Sequence, residues 1–205
     1  SAAPGEELRC TLSFRALPLA PLWPPGQGPE LVHGLQDGQA VFARRDLNRE
    51  AQIAREILEG AGLAEHVRID EFDRLVSGEQ EILAVLSSLA GLGGKVEIEW
   101  AQGARRRSLG ASVKRSDLKV DLFKQGQWLQ LRGGAHSPGQ DVALGRLLDA
   151  ARRGERFVAV QGETFAQIEE ALFEELSQLG RCVFSEQEGD RMAGAALPVW
   201  LATLA

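Results

Sequence analysis

The sequence predicts a mixed α/β fold, with antiparallel or mixed sheets and helices packed on one side. Three observations predict it. Leu118, Val120 and Leu122 alternate with Lys119, Asp121 and Phe123, the period of two that marks a strand. Ile82, Val85, Leu86 and Leu89 fall at i, i+3, i+4 and i+7, as do Leu144, Leu147, Leu148 and Ala151, the apolar stripe of a helix. Short apolar runs such as Phe157-Val158-Ala159-Val160 follow glycine stops, as buried strands do.

The chain has 205 residues, enough for one large domain or two small ones. A working division places one part up to about Gln102 and another from Gly103 to Ala205, and a single domain accommodates both. The hydrophobic content of 44% fits a globular core and argues against disorder. The formal charge of −6 excludes a chain coated in basic charge, so any nucleic-acid contact must come from a local patch. Cys10 and Cys182 are the only cysteines; they could pair, but two thiols make no disulfide framework, and a reduced cytoplasmic setting is expected. No apolar run is long enough to span a bilayer, and no signal peptide is read. The start at Ser1-Ala2-Ala3 and the apolar end at Leu201 to Ala205 are read as the ends of a piece excised from a longer enzyme.

In chain order, Leu8 to Leu17 reads as a strand with Leu8, Cys10, Leu12 and Phe14 on one face. Pro18, Pro21, Pro24 and Pro25 make the next stretch irregular. Asp37-Gly38 is a hairpin turn between Leu31–Leu35 and Gln39–Ala43. Asp46 caps a helix whose stripe is Ala51, Ala54, Leu58 and Ala61, supported by Leu47, Ile53 and Ile57 and ended by Gly60 and Gly62. Val67, Ile69, Phe72 and Leu75 are expected core anchors. Ser77-Gly78-Glu79-Gln80 fits a capping box for the helix of Ile82 to Leu89, which ends at Gly91 to Gly94. Val96, Ile98 and Trp100 alternate with Lys95, Glu97 and Glu99, a half-exposed strand.

Leu118 to Phe123 and Trp128 to Leu131 read as a hairpin, with Gly133 to Gln140 as loop. Asp141 caps the helix of Leu144 to Ala151; Arg152 and Arg153 suit its C-terminal dipole and Gly154 its stop. After Phe157 to Val160, Gln161-Gly162 turns and Glu163 to Phe165 returns. Ile168, Leu172, Leu176 and Leu179 make a second amphipathic helix. The unit helix, glycine, strand thus occurs at Gly78–Trp100 and at Asp141–Val160, as shared architecture. Cys182 to Phe184 reads as a short strand, and Met192, Ala196, Val199 and Trp200 as a final helix.

The stretch LKVDLFKQGQWLQLRGG, followed by VALGRLLDAARRGERFVAVQGETFAQI, resembles the accessory region that precedes the ATPase motor in bacterial SNF2-family helicases. That region has a hydrophobic strand pair, a Leu-Leu helix, a glycine, an aromatic-Val strand and a turn carrying a small residue. VFARRDLNREAQIAREIL and LAVLSSLAGLGGKVEIEWAQG resemble the material before it. The resemblance implies a role beside an ATP-driven DNA motor and carries over no catalytic residue.

Gly91-Leu92-Gly93-Gly94-Lys95 imitates a phosphate loop, but a helix precedes it, a strand is expected after it, and Val96 stands where Ser or Thr would hold Mg²⁺. It reads as a helix stop. His33, His66 and His136 are scattered, without metal-ligand spacing. Glu97 and Glu99 share a strand face and read as solvated. Arg105, Arg106, Arg107, Lys114, Arg115 and Lys119 cluster with Asp117 as the only acid among them, a candidate phosphate-contacting surface; strand-edge solubility is the bland explanation. Arg44, Arg45, Arg152, Arg153 and Arg156 extend it only if they share its face. Met192, Val199, Trp200 and Leu204 form a candidate interface.

The expected function is therefore a non-catalytic accessory domain of a bacterial SNF2-type ATP-dependent helicase or translocase, positioning DNA or regulating the motor. The alternative is a protein-interaction or scaffold domain without nucleic-acid contact. The expected partners are the SNF2 motor of the same chain and DNA, with no membrane. No cofactor or metal is expected here; ATP and Mg²⁺ belong to the motor.

Overall fold

The computed structural model describes residues 6–125, 128–137, 139–182, 184–188 and 191–198. It is a mixed α/β structure of small antiparallel and mixed sheets, and it divides into two compact units, Ser1–Ile98 and Glu99–Ala205.

The first unit contains β1 (Glu7–Thr11), β2 (Leu31–Gln36), β3 (Gln39–Arg44), α1 (Leu47–Gly60), β4 (Val67–Asp70), β5 (Asp73–Ser77) and α2 (Glu79–Gly91). β5 is the centre of an antiparallel sheet in the order β1-β5-β4. β2 and β3 form a hairpin closed by Asp37 and Gly38, both at positive φ (53° and 77°), as the tight turn requires. The Asp46 side chain accepts from the Arg49 N–H at 2.9 Å and caps α1, as the sequence predicts. Ala54, Leu58 and Ala61 bury its stripe, while Ile53 stays exposed. Ile82, Leu83, Val85 and Leu86 of α2 are buried with Phe72 and Val76.

Several expectations for this unit are corrected. β1 stops at Thr11 because its partner strand begins at Asp73; Phe14 makes only a bridge to Trp23. Val67 and Ile69 are exposed, because β4 is an edge strand, and Val76 fills the core instead. No capping box starts α2. Ser77 ends β5, and Gly78, at φ 97°, is the N-cap with no side-chain bond. Residues 96–100 form no strand, since no described strand offers them a ladder, so the helix, glycine, strand unit does not recur.

The second unit contains β6 (Ser108–Leu109), β7 (Leu118–Gln125), β8 (Trp128–Ser137), β9 (Gln140–Ala143), α3 (Leu144–Arg153), β10 (Phe157–Gln161), β11 (Thr164–Gln167), α4 (Glu170–Cys182), β12 (Phe184–Glu188) and β13 (Arg191–Pro198). β8 organises the larger sheet. β7 lies along one side of it; β13 and β9 share the other, β13 opposite Trp128–Leu131 and β9 opposite Gly134–Ser137. The smaller sheet runs β10-β11-β6, with β11 and β6 parallel. Leu144, Leu147, Leu148 and Ala151 of α3 pack with Leu172 and Leu176 of α4 and with Leu131, Val142, Val158 and Ile168 in one core. Gly154, at φ 75°, ends α3 as expected.

Gly133–Gln140 is not a loop: β8 continues to Ser137. A Cβ on Gly133 would stand 2.0 Å from the Lys119 carbonyl oxygen, and one on Gly134 2.3 Å from that of Val142. The glycine pair reads as a loop in sequence, yet it lets three backbones crowd together. Asp141 does not cap α3; it sits in β9, and Ala143 precedes the helix without a side-chain bond. Arg191–Pro198 is a strand and not a helix, because the free side of β8 and β12 both offer it hydrogen-bond partners. Val199, Trp200 and Leu204 lie outside the described residues. Met192 is in β13.

Candidate functional site

The basic segment begins in an irregular stretch and passes through β6 to β7. β6 is parallel to β11, so the side chains around Ser108 meet the β10–β11 turn. Arg105 Nη2 donates to Glu163 Oε1 at 2.6 Å. This bond, with the nearby charge of Arg107, holds the Glu163 carboxyl below the usual carboxylate range. Arg107 is 8% exposed, so it is a buried residue and not a surface cation. Arg106 is exposed.

Farther along, the Lys114 backbone N–H donates to Asp117 Oδ2 at 3.0 Å in the single helical turn of Arg115–Asp117. Arg115 Nη1 donates to Glu175 Oε1 on α4 at 2.7 Å. Lys114 and Lys119 are exposed, Lys119 on β7. The sequence cluster is therefore not a uniform basic track. Glu163 and Glu175, distant in sequence, bring negative charge to Arg105 and Arg115, and one arginine is buried. Exposed pairs of this kind are weak, at about 0–1 kcal/mol, but they cancel local field.

Of the arginines considered as extensions of the track, Arg44 is exposed, and the other four are held by acids or a carbonyl. Arg45 is buried against Glu50, with Nε to Oε1 at 2.8 Å and Nη2 to Oε2 at 2.5 Å. It also lies over the Phe14 ring, 5.5 Å from its centre. Arg152 Nε donates to the Gly180 carbonyl at 2.8 Å, Arg153 pairs with Glu155 at 2.7 Å, and Arg156 Nη2 reaches Glu170 at 2.7 Å. Arg44 and Arg45 belong to the first unit and the others to the second.

In the first unit an open cleft of about 450 Å³ is lined by Glu30, Arg44, Arg45, Asp46, Leu47 and Asn48 at the start of α1. Acids and bases balance there, and the Asp46 carboxylate occupies the helix terminus where an anion would sit. Among the described residues no group of three or more His, Cys, Asp or Glu side chains is placed to hold a metal ion. Among them no helix is long and apolar enough to cross a membrane.

Sequence reasoning did not single out the exposed apolar side chains of β7. Val120, Leu122 and Phe123 leave 39%, 58% and 50% of their surface to solvent. Their alternation is legible in the sequence; that β7 stands at the end of its sheet among the described strands is not. No protein-family model, no curated protein and no solved structure matches the chain.

Proposed function

We propose that the chain is a non-catalytic accessory module of a bacterial SNF2-type ATP-driven DNA motor, lying on the same polypeptide as the motor and regulating it through protein contact. The observation that carries this reading is the order of elements in the second unit. The β7–β8 strand pair, the Leu147-Leu148 helix, the stop at Gly154, the Phe157–Gln161 strand and the turn at Gly162 come in the order of the pre-motor region the sequence resembles, with the short β9 inserted between the strand pair and the helix. Regulation by protein contact is favoured over a DNA track because Arg105 and Arg115 face glutamates and Arg107 is buried. ATP and Mg²⁺ would be held by the motor.

The test is made on the natural gene product. Motor motifs in frame with this chain are expected, and deletion of residues 99–205 is expected to change the DNA-stimulated ATPase rate about tenfold or more, or about 1.4 kcal/mol in barrier. An unchanged rate, or a gene without a motor, overturns the reading. The chain alone is expected to turn over no ATP.

A further inference from the structure

β7 has β8 on one side and, among the described residues, no strand on the other. Its ladder runs from Leu118↔Ala135 to Gln125↔Trp128 without a register shift. It contains no proline. Edge strands are commonly blocked by a bulge, a proline or brevity, since their free N–H and C=O groups are a template for another strand. β7 has none of these; of the charged side chains that also guard edges it carries Lys119, Asp121 and Lys124, and it exposes Val120, Leu122 and Phe123.

Its charges point to one occupant. Lys119 and Asp121 stand two residues apart on the same face, and Leu118, Val120 and Leu122 stand on the other. In a two-fold antiparallel pairing, opposed residues share a face, so the axis lies between one residue and that same residue of the partner. With the axis at Val120, Lys119 opposes the partner's Asp121 and Asp121 opposes the partner's Lys119. Leu118 then opposes the partner's Leu122, and Val120 opposes the partner's Val120. An axis at Lys119 or Asp121 sets like charge against like charge. An axis at Leu122 sets Val120 against the partner's Lys124 and Asp121 against the partner's Phe123. Among these centres, Val120 alone matches charge with opposite charge and apolar with apolar throughout Leu118 to Leu122; Phe123 then falls beyond the start of the partner's β7, beside Asp117.

We propose that β7 is a self-complementary edge, and that two copies of this chain join by pairing β7 with β7, antiparallel about Val120, into one continuous sheet. The pairing buries the exposed Val120 and Leu122 alongside their counterparts and uses the free backbone groups of the edge. It needs neither DNA nor ATP, so it stands or falls apart from the motor reading.

The test is sedimentation of the full chain over a concentration series, with two single charge reversals. The wild type is expected to form a concentration-dependent dimer. Lys119→Glu and Asp121→Lys each place like charges at two cross-strand positions and are expected to weaken dimerisation about tenfold or more. Mixed together, the two variants again oppose unlike charges at both positions, and a one-to-one heterodimer is expected. Because each variant must be folded to recover its partner in the mixture, recovery separates lost pairing from lost folding. A wild type that remains monomeric overturns the proposal. So does a dimer indifferent to both reversals, or a mixture of the two variants that associates no better than either alone.

Discussion

Arg105 reaches across from the irregular stretch before β6 to Glu163, which lies 58 residues later, and bonds it at 2.6 Å. The contact offsets one of the charges that make the basic segment conspicuous in sequence. Duplex DNA is accordingly expected to bind more weakly than about 10⁻⁴ M at about 0.15 M salt, at or beyond the weak end of non-specific binding. Glu163→Gln releases Arg105 from its ion pair and is expected to steepen log affinity against log salt by up to roughly one unit. Fluorescence anisotropy over a salt series measures both. Affinity near 10⁻⁶ M or tighter, roughly the strong end of that range, returns the segment to a phosphate-binding role.

The Arg105 to Arg107 triplet cannot be replaced as a block to test that point. Arg107 is buried, and its alanine variant removes packed surface as well as charge, at an expected cost of about 1–3 kcal/mol. Arg106→Ala, at an exposed position, is expected to stay within about 0.5 kcal/mol of the wild type. Urea denaturation separates the two. If DNA is contacted at all, Arg106, Lys114 and Lys119, which stand exposed, are the set to substitute.

The Arg45–Glu50 pair is the buried fork of the first unit, with side chains 1% and 6% exposed. Removing one partner leaves an uncompensated buried charge. Glu50→Ala is expected to destabilise by about 3–5 kcal/mol, and Arg45→Met with Glu50→Leu by clearly less, because the pair is then absent as a whole. Chemical denaturation of the two variants checks the order; equal losses refute it.

Asp73 accepts from Arg9 and from the Thr11 hydroxyl, and the Arg9 bond above all holds its carboxyl below the usual carboxylate range. A carboxyl depressed in the folded state stabilises above its unfolded pKa of about 3.9, and the contribution disappears as pH falls through the folded value. Asp73→Asn should therefore flatten the fall in urea midpoint below about pH 4. The same carboxylate, after burial, helps push the Cys10 thiol up to about 11. In a Cys182→Ser background, Cys10 is expected to react with a thiol reagent about a hundredfold more slowly than an ordinary cysteine at pH 8. Asp73→Asn should recover part of that rate, since burial remains. A rate equal to that of a free thiol overturns the assignment.

The sequence by itself determined the elements whose signals are local. Asp46 caps α1 through a bond within one turn, Asp37-Gly38 closes a hairpin through its own dihedral preference, and Gly154 stops α3 because only a left-handed residue fits there. The stripes of α2 and α3 follow from the helical period alone. Tertiary structure decided whatever depended on a distant partner. Gly133 and Gly134 became strand because β7 and β9 press on β8 from both sides, and Arg191–Pro198 became strand because β8 and β12 offered it a ladder. Residues 96–100 alternate as well as any strand in the chain, yet no described neighbour pairs with them. The candidate site divides in the same way. The clustering of cations was legible along the chain, but Glu163, Glu175 and the burial of Arg107 were not, because charge compensation acts through space. For the same reason the alternation of β7 could be read at once, whereas its place at the end of the sheet among the described strands belongs to the fold.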